Sequence, residues 1–200
     1  MHQNQFKFSK TAIPFSLMVT LAACGGSSTS GPNASTSFAN IIEDAGTLAD
    51  EVAVIPYTDP ATLPTSGSAT YNGFIGVVLD NNAGVAGDLQ LIANFAPNAN
   101  ENAITGSASN FFDNEENAIG GTLTLSNSVL DRNADTNTQF TFDADLSGDL
   151  TSDEGDISVA AFLLGDFTGT NHEFVEGFVS GTATLNDETL FLDGEFVAER

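Results

Sequence analysis

The sequence predicts an all-β fold, namely an eight-stranded antiparallel up-and-down soluble β-barrel preceded by a flexible tether and one short helix. The chain has 200 residues and is 41% hydrophobic, which suits one domain with its own core. Its 19 glycines, together with many Thr, Ser, Asn and Asp residues, favour strands and turns. From residue 69 onward apolar and polar residues alternate, which is typical of half-buried strands.

The first element, residues 1–23, has the organisation of a secretion signal. Lys7 and Lys10 form a basic start, and the apolar run after them is shorter than the roughly 20 residues that span a bilayer. The run ends in Leu21–Gly25 (LAACG), which resembles the bacterial lipobox. The resemblance implies cleavage before Cys24, acylation of this cysteine and a membrane anchor made of several acyl chains.

The residue after the cysteine is glycine and not aspartate. By resemblance to Gram-negative sorting signals, this implies lipid anchoring at the outer membrane, on its periplasmic face or at the cell surface. The alternative is an ordinary secretory signal whose cleavage site happens to precede a cysteine. Cys24 is the only cysteine, so no disulfide can form within the chain.

Residues 24–37 are small and polar, and they predict a flexible linker after the lipidated cysteine. Residues 38–68 are predicted to form a helix and then a Pro-rich lead-in to the barrel. Seven apolar residues recur at the spacing of one helix face, which predicts the helix: Phe38, Ile41, Ile42, Ala45, Leu48, Ala49 and Val52. Three prolines between 56 and 67 predict an extended loop.

The predicted barrel domain covers 69–200. Its eight strand segments are 69–79, 87–95, 103–109, 119–126, 139–151, 156–167, 173–185 and 189–198. Consecutive antiparallel strands with short turns favour a closed barrel, since closure removes exposed edges. An open β-sandwich is the alternative. In 139–151 an apolar face from Phe140 to Leu150 opposes three aspartates, which favours a soluble barrel with the carboxylates outside.

Three segments carry a resemblance to a known family. They are Leu63–Gly73 (LPTSGSATYNG), Gly165–Gly169 (GDFTG) and Gly194–Arg200 (GEFVAER). Together they resemble the β-barrel domain of transferrin-binding protein B and related surface lipoproteins, including transferrin-binding-protein-like solute-binding proteins. The resemblance covers about 63–200 and implies non-catalytic binding of a protein or an iron-linked solute. The full receptor has two lobes, whereas this chain has one barrel, so transferrin itself is not implied.

The charge of the chain limits its partners. It carries 27 acidic residues and a net charge of −23, which excludes nucleic-acid binding because phosphates would not be neutralised. Removal of Lys7 and Lys10 with the leader leaves only Arg132 and Arg200 as bases. The acidity has two interpretations, namely solubility in a salty medium or a site for cations or basic partners.

The strongest local motif is the acidic segment 143–154. Its oxygen-bearing residues match several positions of a calcium-binding EF-hand loop: Asp143, Asp145, Ser147, Asp149 and Glu154. The flanking residues alternate as in strands, however, and a strand would space these side chains at about 7 Å along one face. The segment is therefore either a solvated strand face, a calcium-binding module or, near 153–156, a weak cation site.

His172 is the only histidine that would remain after processing. It is either a solvated turn residue or a haem or metal ligand at the barrel mouth. A single histidine, the absence of a phosphate-binding loop and acid pairs confined to turns predict that the protein is not an enzyme. Calcium and haem are thus the only cofactors that the sequence suggests.

The sequence therefore predicts an outer-membrane lipoprotein of a Gram-negative bacterium whose barrel binds a protein or a small-molecule ligand without catalysis. Loops at one barrel end, such as 80–86, 110–118 or 131–138, would form the contact surface. Phe111 and Phe112 either provide an exposed aromatic anchor or both pack into the barrel end. A structural envelope lipoprotein is the alternative function.

Overall fold

The computed structural model describes residues 35–80, 82–96 and 102–200. The predicted leader, Cys24 and most of the predicted tether lie outside this part of the chain. The described elements, in chain order, are α1 (Phe38–Val52), a 3-10 turn (Pro60–Thr62), β1 (Ser68–Leu79), β2 (Gly84–Asn94), β3 (Ile104–Asp113), β4 (Ala118–Leu130), β5 (Phe142–Ser152), β6 (Gly155–Thr168), β7 (Phe174–Leu185) and β8 (Glu188–Glu199). The predicted helix and eight strands are confirmed.

The strands form a closed antiparallel barrel in chain order. Strand β8 pairs with β1 from the Asn72–Glu199 pair to the Leu79–Leu192 pair. This pairing excludes the open sandwich. Because the chain runs up and down, the connections β1–β2, β3–β4, β5–β6 and β7–β8 lie at one end, which we call the turn end. The other three connections and the lead-in to β1 lie at the opposite end, which we call the plugged end.

The barrel interior is apolar and its acidic residues face outward. Along β5, Phe142, Ala144 and Leu146 are buried, whereas Asp143 and Asp145 between them are exposed. The interior residues of all eight strands belong to one contiguous core. The predicted distribution of apolar and acidic faces is therefore confirmed, and residues 35–200 contain a complete core and a closed sheet of their own.

Aromatic rings fill the plugged end. The ring of Phe167 has its centroid 5.9 Å from that of Tyr71, 5.8 Å from that of Phe95 and 5.4 Å from that of Phe142. Leu63 of the lead-in is 2% exposed and joins the same core. These side chains are almost fully buried, so the described residues cover the interior at this end.

One guanidinium group joins the segments that cover the plugged end. Arg132 donates hydrogen bonds to the carbonyl oxygens of Leu63 (2.9 Å), Pro64 (2.6 Å) and Phe95 (2.9 Å). The group therefore connects the lead-in, the end of β2 and the β4–β5 connection. Hydrogen bonds from a charged donor are about twice as strong as neutral ones, so this contact fixes the plug in place.

The lead-in differs from the extended loop that its prolines predict. It contains the 3-10 turn Pro60–Thr62, and the Asp59 carboxylate accepts a hydrogen bond from the N–H of Ala61 at 3.0 Å. Proline at the first position of a helical turn loses no hydrogen bond, since that N–H has no partner within the turn. Tyr57 also forms a β-bridge with Thr168, which holds the lead-in against β6.

The prediction that Phe140 faces the interior with Phe142 is wrong. The buried carboxylate of Asp166 accepts hydrogen bonds from the N–H and the hydroxyl of Thr141, at 3.0 and 2.8 Å. These bonds fix the chain just before β5, so the strand begins at Phe142 and not at 139. Phe140 consequently contacts Phe178 on the outer surface, with ring centroids 5.9 Å apart.

The N-terminus of α1 is capped by two side chains. The Ser37 hydroxyl accepts a hydrogen bond from the N–H of Asn40, and the Glu116 carboxylate accepts from those of Phe38 (2.9 Å) and Ala39 (3.2 Å). A carboxylate is stabilised at a helix N-terminus by the free N–H groups and the helix dipole. Because Glu116 belongs to the β3–β4 turn, its bonds also attach the helix to the barrel.

The apolar face of α1 covers part of the outer barrel wall. Phe38 and Ile41 pack on Ala86 of β2, and Leu48 and Val52 pack on Val197 of β8. Among the described residues, no helix combines the length and the apolar character needed to cross a membrane. The helix is thus a cover for outward-facing apolar residues of the sheet.

We expect Arg132→Ala to lower the free energy of unfolding of residues 25–200 by about 3 kcal/mol, because three carbonyl oxygens of the plug lose a charged donor. Arg200→Ala is the matched control, since Arg200 is exposed and follows the last strand; we expect a change below about 0.5 kcal/mol. Urea unfolding followed by circular dichroism measures both. Equal effects of the two substitutions would contradict the role given to Arg132.

Candidate functional site

The structure does not bring the predicted calcium ligands together. Asp143, Asp145, Ser147 and Asp149 lie at alternate positions on the outer face of β5, and Glu154 lies in the β5–β6 turn. Alternate residues of a strand are roughly 7 Å apart, too far to share one ion. Within the described ranges no three Asp, Glu, His or Cys residues form a group that could hold a metal ion. The segment forms a strand face, as its flanks predict.

His172 lies at the plugged end, in the β6–β7 connection. Its Nε2 is 2.9 Å from the Nη1 of Arg200, and its ring packs edge-on against Phe95 with centroids 5.3 Å apart. Burial and the adjacent guanidinium hold the pKa of His172 below its ordinary value of 6.5. Because a guanidinium has no acceptor, Arg200 donates to Nε2 in this arrangement, and ligation of a haem iron or metal by His172 stays a prediction.

Neither predicted anchor residue is an exposed aromatic, so that interpretation is wrong. Phe111 is 4% exposed and belongs to the barrel core, where its ring lies against the Cα side of Gly87. Phe112 is partly buried beneath α1, in the cluster that contains Phe38. The register of β3 shifts between Ser109 and Phe111, which turns the first ring inward and the second outward.

The proposed contact loops also need correction, because they do not share one end. The segments 80–86 and 110–118 lie at the turn end, whereas 131–138 lies at the plugged end. In an up-and-down barrel successive connections alternate between the two ends. The first two segments moreover contain parts of β2 and β3, and the connections themselves are short. A broad loop surface of the predicted kind therefore does not form.

The outer wall of β6, β7 and β8 carries a group of exposed aromatic residues that we call the aromatic strip. It consists of Phe162, Phe178 and Phe191, which are 36%, 48% and 66% exposed. Phe162 is opposite Ser180 and Phe191 is opposite Thr182, so all three rings lie on the same outer face of adjacent strands. Several exposed apolar groups on one face of a sheet are typical of protein interaction surfaces.

Carboxylates flank the aromatic strip on both sides. On β5, Asp145 is the cross-strand partner of Phe162, and Asp143 is the partner of Leu164. On β8, Glu195 is the partner of Phe178, and Asp193 lies two positions further along the same face. Phe162 and Phe178 therefore lie between two acidic edges, on β5 and β8, and Phe191 lies within the β8 edge beside Asp193.

The acidic edge on β8 is partly desolvated. Burial, and then the negative charge of Glu176, raise the pKa of Glu195 above its ordinary value. Both arginines of the described residues lie elsewhere, since Arg132 binds carbonyl groups of the plug and Arg200 contacts His172. A positive charge placed beside Glu195 would relieve this repulsion.

The described helix does not cover the aromatic strip, although it covers other apolar residues of the outer wall. Phe74, Ala86, Phe174 and Val197 face outward too, but α1 packs on them. Sequence reasoning missed the strip, although a signal was present. In Ala160–Leu164 five consecutive residues are apolar, which predicts a strand with two apolar faces and not one.

A comparison with models of known protein families finds no match, and a search of curated proteins finds no match either.

We expect the single imidazole of residues 25–200 to titrate below pH 6.5, as the lowered pKa of His172 requires. The unfolded chain then binds this proton more readily, so His172 lowers stability as the pH falls through 6.5 and has no such effect at higher pH. His172→Asn keeps a residue that tolerates the positive φ of 51° at this position. The unfolding midpoint of this variant should fall less than that of the wild type between pH 7.5 and 5. Proton NMR measures the titration directly, and a midpoint above 6.5 would contradict the assigned environment.

Proposed function

We propose that this chain is a lipid-anchored, non-catalytic binding module whose aromatic strip contacts a basic protein. The observation that carries the proposal is the exposed surface of Phe162, Phe178 and Phe191, which has acidic edges on β5 and β8 and lies on a wall that α1 leaves uncovered. Aromatic residues in the middle of a contact supply most of its binding energy, and charges at its edges select the partner.

The charge of the surface specifies what kind of partner fits. A second copy of the chain would bring the same acidic edges, and its 27 acidic residues would repel those of the first. Anionic lipid surfaces and nucleic acids are repelled for the same reason. A polypeptide with lysine or arginine residues around an apolar centre complements both the rings and the carboxylates. We therefore assign the strip to a basic protein.

The resemblance to the barrel of transferrin-binding protein B supports the same class of function. Members of that family are surface lipoproteins with β-barrel domains, and the closed barrel is the part of the resemblance that the fold shares. An iron-linked solute is the other ligand that the resemblance implies. The strip favours a protein, since its open convex surface would enclose little of a small molecule.

The anchoring step of the proposal depends on Cys24, through the lipobox resemblance of Leu21–Gly25. About ten residues separate this cysteine from Ser35, the first described residue, and they reach at most about 40 Å when extended. A tether of this length allows the barrel wall to turn toward a partner at the membrane surface. Repulsion between the acidic barrel and anionic head groups would keep that wall accessible.

We expect Cys24→Ala to move the full-length protein from the membrane fraction to the soluble fraction of bacterial cells, because the acyl chains have no other attachment site. Metabolic labelling with an alkyne analogue of palmitate should mark the wild type and not the variant. Cys24 has no matched cysteine elsewhere, so Ser27→Ala in the adjacent linker serves as the control. Labelling that survives in the Cys24→Ala variant would refute anchoring through this residue.

We expect Phe178→Ser combined with Phe191→Ser to weaken binding of the protein partner by at least about tenfold, since aromatic anchors contribute 1–2 kcal/mol or more each. Val54→Ser combined with Val129→Ser is the control, because these residues are exposed outside the strip. Each immobilised variant is exposed to envelope and secreted proteins from iron-poor and iron-rich cultures, and retained proteins are quantified by mass spectrometry.

A supporting result is a basic protein that the wild type and the valine control retain, that the phenylalanine variant loses, and that high salt releases. If no protein distinguishes the phenylalanine variant from the valine control, the strip is not a binding surface. In that case the alternative of a structural envelope lipoprotein is favoured.

A further inference from the structure

The barrel encloses a second feature, an apolar cavity of about 60 Å³ in the half nearest the turn end. Its wall is built from aliphatic side chains and one ring, and residues such as Leu146, Val179, Ala183 and Leu192 line it. No polar side chain is among the lining residues. The cavity therefore offers nothing that could hold an ordered water or a polar ligand by hydrogen bonds.

The cavity is accessible from the turn end. Val77, Leu79, Val85 and Ile157 face the interior there and are only partly buried. At the plugged end the corresponding side chains are fully buried, and Phe167 is 0% exposed. The four connections at the turn end are two to four residues long, too short to fold over the opening. A ligand would enter from this end and stop at the aromatic plug.

The size of the cavity limits its occupant to a slender group. One water needs about 10–15 Å³ of such space, and a cavity that binds benzene measures roughly 150 Å³. The barrel cavity lies between these values, so an aromatic ring does not fit without movement of the wall. The end of a single unbranched hydrocarbon chain does fit, with the rest of the chain extending through the opening.

The rim of the opening determines the charge of the head group. Seven exposed carboxylates belong to or adjoin the turns at this end: Asp80, Glu115, Glu116, Asp153, Glu154, Asp187 and Glu188. Both arginines of the described residues, Arg132 and Arg200, lie at the plugged end. All side-chain charge at the opening is thus negative among the described residues. An anionic head group such as a fatty-acid carboxylate is repelled, and a cationic one is attracted.

We propose that the turn end of the barrel binds a cationic amphiphile, with its hydrocarbon chain in the cavity and its cationic head group among the carboxylates of the rim. The site is separate from the aromatic strip, which lies on the outside of β6, β7 and β8. Binding requires no movement of the backbone, since the cavity and its opening exist in the described structure. The ligand class is a single-chain alkylammonium or a compound with the same charge and shape.

Calorimetry of residues 25–200 with three decyl compounds, each below its micelle concentration, tests how head-group charge and the hydrocarbon chain contribute to binding. The expected order of affinity is decylammonium, then decyl maltoside, then decyl sulfate, with a difference of at least about tenfold between the first and the last. Tenfold weaker binding of decylammonium in high salt is also expected, because the head-group contribution is electrostatic. Equal affinities for the cation and the anion would overturn the role of the rim.

Substitution of one small residue separates cavity binding from adsorption on the acidic surface. Ala183→Leu places an isobutyl group in the cavity, and each methylene excluded from it costs about fourfold in affinity, so binding should fall more than tenfold. Ala160→Leu is the matched control, since Ala160 is exposed on the outside of β6. It should change the affinity by less than about twofold. Equal binding by both variants would show that decylammonium only coats the surface.

Methyl NMR of the wild type keeps the test independent of how the variants fold. Decylammonium should shift the methyl signals of Leu146, Val179 and Leu192 inside the barrel and leave those of Val54 and Val129 outside it unchanged. The reverse pattern would overturn the proposal. Glu115→Gln, Glu154→Gln and Glu188→Gln together should reduce the preference for the cation and retain binding of decyl maltoside.

Discussion

The pairing of β1 with β8 is the contact on which the rest of the structure depends. It joins strands that lie about 120 residues apart in sequence, and it needs two glycines where the two strands meet. A Cβ at Gly73 would collide with the backbone of Val197 and Ala198, and one at Gly194 with that of Gly76. Without this close approach the sheet would have two free edges, and both would invite association with other chains.

Closure also makes the two ends of the barrel different. Short connections at the turn end leave aliphatic side chains of the interior in contact with solvent. Longer segments at the other end bring in Leu63 and Arg132, and the rings around Phe167 occupy the remaining space. The barrel is thus closed at the plugged end and open at the turn end. This asymmetry follows from the even number of strands and the position of the lead-in.

Much of this fold could be predicted from the sequence, because alternation in strands and helical spacing in α1 are local signals. Alternation predicts that Phe140 faces the interior, and it fails because the hydrogen bonds that fix the chain before β5 join Thr141 to Asp166, which is 25 residues away. Phe111 could not be placed because the irregularity at Asn110, which has a φ of 55°, reverses the faces of β3. The cavity and its acidic rim depend on the arrangement of eight strands in space, and no short segment encodes them.

The register of the sheet explains why acidic and aromatic residues occur side by side on the outer wall. Like charges directly opposite each other on neighbouring strands destabilise a sheet. Here Asp145 is opposite Phe162, Asp149 is opposite Ser158, and Glu195 is opposite Phe178, so no carboxylate of these pairs faces another. A chain with so few bases has few cations to place between its acids, and neutral residues separate the acids of these pairs. Asp166 and Glu176 do face each other, but Asp166 is buried and accepts two hydrogen bonds from Thr141. Where those neutral residues are phenylalanines, the same arrangement that separates the acids also creates the exposed aromatic surface that we propose binds a basic partner.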